Sequence, residues 1–275
     1  MSLKARGRAL FIQLLMGLMS ILSLYPLYFI LVTSLKSQRE YVYNLWAPPM
    51  HPTLANFVEV FLGSKMPKWF VNSLIITVVT VGVSTIVAAM GAYAIARGRF
   101  WGHRAVFNTM VGLLVVPPVI LVVPMFILMV RVGLINTFSG VIFFYAGLLI
   151  PFSVYLLVNF FRTLPEEVFD AALIDGCSPL VMLWRIVMPL AAPALITLIV
   201  VNAVWVWNEL FIALVFLQKE ELRTLMAGLA LFQGRYSTNQ PLIMAGSLVG
   251  LLPALVLYLF GQRYFIRGLT AGSFR

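Results

Sequence analysis

Six long apolar runs, at residues 10–35, 70–96, 105–130, 139–161, 190–217 and 241–262, alternate with polar segments along the chain. A helix that crosses a bilayer needs about 20 mostly apolar residues, and each run reaches or nearly reaches that length. The pattern predicts an all-α, polytopic membrane protein with six transmembrane helices and both termini on one side. Three polar segments, at 36–69, 163–189 and 218–240, are long enough to carry structure of their own.

Segment 163–189, TLPEEVFDAALIDGCSPLVMLWRIVMP, is a long connection with its own helix signals. A span-to-span link needs only a few residues, so this one is built to touch something outside the membrane. Thr163 and Glu166 have capping-box spacing, and Pro165 falls in the first turn, where its missing N–H costs nothing. Glu166, Glu167 and Asp170 then meet the positive end of the helix dipole. Gly176 is a stop signal, and Ser178-Pro179 restarts a second helix towards Pro189. Ala171 and Ala172 leave the first helix nearly bare for a partner's approach. The same spacing also suits a structured loop that only covers helix ends.

Composition agrees with the membrane reading: 62% of residues are hydrophobic and 10% charged. Lys4, Arg6 and Arg8 precede the first run, Arg97, Arg99 and Arg104 fill the second connection, and Arg263, Arg267 and Arg275 end the chain. Positive charge is retained in the cytoplasm, so these segments, both termini and 163–189 are expected there. Lys36, Arg39, Lys65, Lys68, Lys219, Arg223 and Arg235 fall on the other side, partly offset by Glu40, Glu59, Glu220 and Glu221. The net charge of +10 is spread thinly between apolar runs, which fits topology better than a nucleic-acid partner. The first run exceeds a usual signal-peptide core and lacks a small-x-small cleavage site, so it is read as an anchor.

Chemistry-bearing residues are few. Cys177 is the sole cysteine, and His51 and His103 are expected on opposite faces, so no metal site and no catalytic residue is assigned. No Gly-x-x-x-x-Gly-Lys-Ser/Thr occurs, so energy must come from another polypeptide. Pro117, Pro118, Pro124, Pro151, Pro193 and Pro253 interrupt the spans, which suits kinked helices around a cavity or ordinary kinks in a static bundle. Glu209, beside Asn208 and after Trp205, is an acidic group inside an apolar run. It reads as a functional group that faces protein or water, or as a structural group near the outer interface paired to a neighbouring subunit's donor. Indoles beside polar side chains suit sugars. Pro52-Thr53 opens a stretch with Leu54, Phe57, Val58 and Phe61 at helical spacing, predicting a short helix capped by Thr53. Gln233, Gly234, Arg235 and Tyr236 form a polar set able to meet an external partner, or a plain solvated loop.

Asp170-Ala171-Ala172, three residues, Gly176, nine residues, then Ile186-Val187-Met188-Pro189 resembles the EAA loop of permease subunits in ATP-binding-cassette importers. Asp170 stands for the family's Glu and Met188 for its Leu, which keeps charge and apolar bulk. Pro52 to Asn56, Asn72-Ser73, the Trp-Asn-Glu cluster and the Gln262–Gly272 ending are similar to the smaller permease subunit of maltose-type importers.

The resemblance implies a type I importer permease fold, with a leading segment 1–69, a permease core 70–262 and a tail 263–275. Glu166, Glu167, Asp170, Ala171, Ala172, Asp175, Gly176, Ile186 and Pro189 would form the surface that couples to an ATPase. It further implies a second permease, a P-loop ATPase dimer carrying ATP and Mg, an extracytoplasmic binding protein and a sugar substrate, with no cofactor on this chain. Asn208, Glu209 and Trp205 would lie on the route, and Gln233 to Tyr236 would face the binding protein. Polyamine, phosphate or amino-acid cargo, or an ATP-independent secondary transporter, are the alternatives.

Overall fold

The computed structural model describes the backbone of residues 3–98, 100–235 and 239–271, and side chains within 10–98, 100–231, 239–257 and at 259. Among the described residues, four helical stretches are long and apolar enough to cross a membrane: Leu10–Ser34, Met66–Arg97, Phe138–Phe161 and Gln240–Leu257. Two sharply bent helix pairs bring the total to six when each counts as one span. The chain divides into two compact units, one of Met1–Pro67 with Leu229–Leu252, the other of Lys68–Gly228 with Pro253–Arg275.

In the first unit, α1 (Leu3–Ser34) is largely apolar on every side and mostly exposed from Leu10 onward, as a span solvated by lipid can be. Beyond it lie α2 (Gln38–Tyr43) and α3 (Ala55–Val58), the latter continued by one π-helical turn, Glu59–Gly63. The expected short helix after Pro52 therefore exists, with the Thr53 hydroxyl accepting the Ala55 N–H at 3.1 Å. Lys36 is fully buried between these pieces, and its ammonium donates to the carbonyls of Asn44 (2.6 Å) and Leu45 (3.2 Å). Burial lowers its pKa, with Glu40 opposing. Asn56 donates to the carbonyls of Ser34 and Lys36, both at 2.8 Å, and so closes the end of α1, where carbonyls lack helical partners.

The second unit carries α4 (Met66–Arg97) from Lys68 onward, α5 (His103–Leu113), α6 (Pro118–Arg131), α7 (Phe138–Phe161), α8 (Glu166–Ile174), α9 (Pro179–Met182), α10 (Met188–Leu190), α11 (Ala192–Asn208) and α12 (Phe211–Phe216). A π-helical turn, Leu183–Val187, joins α9 to α10. Helix α13 (Leu225–Arg235) begins in this unit, and α14 (Gln240–Ala271) ends in it.

Two apolar runs are not single helices. Helices α5 and α6 meet at 101°, because Pro117 and Pro118 remove consecutive donors and Pro117, itself before a proline, turns extended at φ −63°, ψ 128°. The fifth run is bent at Ala191, where the 179–190 segment meets α11 at 81°, and broken again at Glu209. Pro193 falls in the first turn of α11, where its missing donor costs nothing, so it starts that helix and kinks nothing.

Two cores organise this unit. One joins Ala88, Ala92 and Ile95 of α4 to Leu157 and Phe161 of α7, Phe169 and Ala172 of α8, and Leu195 and Leu198 of α11. The other gathers Ile76, Phe144, Tyr145, Val206 and Phe216.

Candidate functional site

Helix α8 starts at Glu166 with Pro165 in the cap position, and Glu166 and Glu167 lie in its first turn. The capping box does not form. The Thr163 hydroxyl instead donates back to the Phe160 carbonyl at 2.7 Å, because the chain is still completing the end of α7 at that point. Gly176 sits at φ +76°, the left-handed conformation that closes a helix, and Cys177 N–H reaches the Ala172 carbonyl at 3.0 Å. Ser178 then caps α9 by accepting the Val181 N–H at 3.4 Å, with Pro179 at the first helical position. The expected helix, bend and second helix are all present.

Packing divides this segment into an anchored face and an open one. Phe169, Ala172, Met182, Leu183 and Val187 are buried in the core shared with α4, α7 and α11. Ala172 is therefore filled in by its own chain, at 4% exposure, and leaves no bare patch for a partner. Ala171 is open, as are Glu166, Glu167, Asp170, Asp175 and Gly176. Leu173 and Ile174 also stand exposed, at 62% and 88%, on a segment too polar to lie within a membrane. Ile186 is half-buried against the core, and Pro189 is exposed.

Arg97, at the end of α4, ties these pieces together. Its Nη2 donates to the carbonyls of Phe161 (2.8 Å) and Leu164 (2.7 Å), and its guanidinium carbon lies 4.0 Å from the centre of the Phe169 ring. Glu166 adds an ion pair at 3.7 Å from Nη1. A cleft of about 1560 Å³ opens beside it, lined by Arg104, Arg162, Glu166 and Asp170 among others.

A second polar node lies at the α11–α12 break. Glu209 leaves the helical region at ψ 123°, and its carboxylate accepts the N–H groups of Ile212 (2.9 Å) and Ala213 (3.1 Å), capping α12. The same carboxylate accepts the hydroxyl of Tyr145, a fully buried residue of α7. These three donors all come from its own chain. Trp205 packs edge-on against Tyr145 at 5.7 Å between ring centres, and exposed Asn208 donates to the Val204 carbonyl at 2.8 Å.

The other end of α4 grips the segment before α13. Trp69 Nε1 donates to the Glu220 carbonyl (2.9 Å), Asn72 to the carbonyls of Glu221 and Arg223 (2.9 Å each), and the Ser73 hydroxyl accepts the Leu225 N–H (2.7 Å). Lys68 pairs with Glu221.

Residues 84–270 match the family described as the binding-protein-dependent transport system inner membrane component. The chain belongs to this family. The permease is 33% identical over 263 residues, 95% of either chain, to the melibiose/raffinose/stachyose import permease protein MelC of Bacillus subtilis (strain 168). It is 32% identical to the sulfoquinovosyl glycerol transport system permease protein SmoH of Agrobacterium fabrum, over 92% of this chain and 89% of that one. Among solved structures, a chain of a bacterial ABC transporter involved in the import of the acidic polysaccharide alginate matches with a TM-score of 0.86 at 25% identity. That match covers 96% of the permease and 99% of the other chain.

The sequence-predicted residues of the permease thus fall into separate places. Glu166, Glu167, Asp170, Ala171, Asp175 and Gly176 lie exposed on one segment, while Trp205 and Glu209 meet Tyr145 in the other core and Asn208 stays exposed. Gln233, Gly234 and Arg235 close α13 as backbone, but their side chains, and Tyr236 entirely, lie outside the described residues, as do the side chains of the ending from Gln262. Arg97 and Tyr145 were missed as site residues. Arg97 reads in sequence only as a topology charge, and Tyr145 only as one more aromatic after Phe143 and Phe144.

Proposed function

We propose that this permease carries a sugar or oligosaccharide across the prokaryotic inner membrane by alternating access, driven by ATP hydrolysis on partner chains. The observation that carries the reading is the α8 segment, open on its acidic and apolar face and packed on the other into a core shared with three spans. Such a ridge suits a docking cleft on an ATPase. Force applied to it passes into α4, α7 and α11 as one packed body, because close-packed interiors transmit strain. Glu166, Glu167, Asp170, Ala171, Asp175, Gly176 and the exposed Pro189 would meet the ATPase, while Ala172 and Ile186 hold the ridge to the spans.

The partners in this reading are a second, homologous permease, two copies of a P-loop ATPase carrying ATP and Mg, and an extracytoplasmic binding protein that delivers the sugar. Both termini and the α8 segment face the cytoplasm. The relatives' names support a saccharide cargo. Trp205 and Asn208 are the candidates for its route, whereas the Glu209 carboxylate is engaged by Tyr145 and α12 and acts there as a scaffold.

Affinity purification of the chain from native membranes in mild detergent, followed by mass spectrometry, tests this directly. Recovery of a P-loop ATPase and a second permease is the expected result, and ligand-induced thermal stabilisation of the recovered binding protein would identify the cargo class. Recovery of the chain alone, under conditions that preserve other complexes, would overturn the reading.

A further inference from the structure

We propose that Arg97 is a positioning residue for energy coupling: it fixes the ATPase-facing helix α8 to α4, so that movement of one requires movement of the other. The inference rests on the importer reading above and goes beyond it, since Arg97 contacts neither ATP nor cargo in that reading.

Three observations converge on this side chain. First, Arg97 is the last residue of α4, and its side chain is only 17% exposed. Second, a single nitrogen, Nη2, donates both of its protons to the carbonyls of Phe161 and Leu164, the end of α7 and the linker that leads into α8. A cation at a helix C-terminus is favoured by the dipole, and a charge-assisted bond is stronger than a neutral one. Third, the guanidinium faces the Phe169 ring at 4.0 Å, and Phe169 is the buried residue by which α8 enters the shared core. A ring and a guanidinium held this way gain a cation–π attraction that is larger when desolvated. The ion pair with Glu166 is the weak member, because Glu166 is 87% exposed and screened by solvent.

The geometry requires arginine. The two carbonyls and the ring must be satisfied at once by a planar group whose edge donates while its face stacks. Lysine supplies the charge and donors but no plane. A one-turn shift or rotation of α4 would withdraw the guanidinium from all three partners together, so α4 and the α7–α8 junction move as one or lose the contact.

The test compares wild type, Arg97→Lys and Arg97→Met in the assembled transporter, reconstituted in lipid with its ATPase and binding protein. Two readouts are taken: hydrogen exchange of the α8 amides, and cargo imported per ATP hydrolysed. Arg97→Met should speed α8 exchange by roughly tenfold and lower the import-to-hydrolysis ratio by about tenfold, within the range seen for residues that couple sites they do not touch. Arg97→Lys should fall between. Faster exchange with an unchanged ratio would reduce Arg97 to a structural anchor and overturn the proposal, as would an unchanged exchange rate. Should Arg97→Met fail to assemble, Phe169→Leu removes the ring while keeping apolar bulk and must give the same paired change, smaller in size. Failure of the importer reading is separately visible, as wild-type uptake that does not depend on ATP.

Discussion

At Gly176 the backbone stands at φ +76°, and a proline there, locked near −65°, cannot follow the bend between α8 and α9. Gly176→Pro should abolish uptake while the protein still reaches the membrane, checked by transport assay beside immunoblot of the membrane fraction. Normal uptake by a well-expressed variant would count against the α8 ridge as a coupling surface. Glu209 carries a different burden, three donors on one carboxylate. Glu209→Ala leaves the buried Tyr145 hydroxyl and two amides without an acceptor, which costs about 1–3 kcal/mol for each group stranded from water. Its melting temperature in detergent should fall clearly, and Tyr145→Phe should cost less. The double variant should then be less destabilised than the two losses added, since both act on one bond.

Among the elements, α4 holds contacts at both of its ends. Arg97 grips the α7–α8 junction, and Trp69, Asn72 and Ser73 grip the segment from Glu220 to Leu225. Its 32 residues contain a proline only in the first turn, so the helix between those grips carries no proline kink. Gly228 lets the second grip close: a Cβ there would lie 2.1 Å from Trp69 Cε3. Gly228→Ala should therefore displace the indole at a cost of about 1–3 kcal/mol, loosen the 218–225 segment and speed tryptic cleavage at Lys219 and Arg223. Limited proteolysis of the purified permease checks this, and a digestion rate equal to wild type would show that the Trp69 contact does not hold the segment. Helix α5 and helix α6 illustrate the opposite design. The apolar pattern runs on unbroken from 105 to 130, yet Pro117 and Pro118 divide it, since hydrophobicity tells how much chain suits lipid and not where its hydrogen bonds stop.

For the whole molecule, orientation is the property most open to a single experiment. The excess of Lys and Arg at the termini and after α4 expects Cys177 in the cytoplasm, and Cys177 is half-exposed. As the chain's sole cysteine, it should react with a membrane-impermeant maleimide in inside-out vesicles and stay unlabelled in intact spheroplasts. Labelling from outside would invert the topology and remove α8 from any cytoplasmic ATPase. Sequence by itself determined the helical class, the number and rough limits of the apolar runs, the helix–bend–helix at 166–187 and the family, because each depends on local chemistry. Lipid selects runs of apolar residues, glycine and proline act on their own backbone, and caps reach three residues. Tertiary structure alone decided which residues meet. The Thr163 capping box gave way to the end of α7, Ala172 was claimed by the core, and Glu209 found Tyr145 across 64 residues of sequence. Arg97 likewise reached carbonyls 64 and 67 positions away. Such pairings are set by how helices pack against one another, and a single chain's pattern of apolar and polar positions carries no record of them.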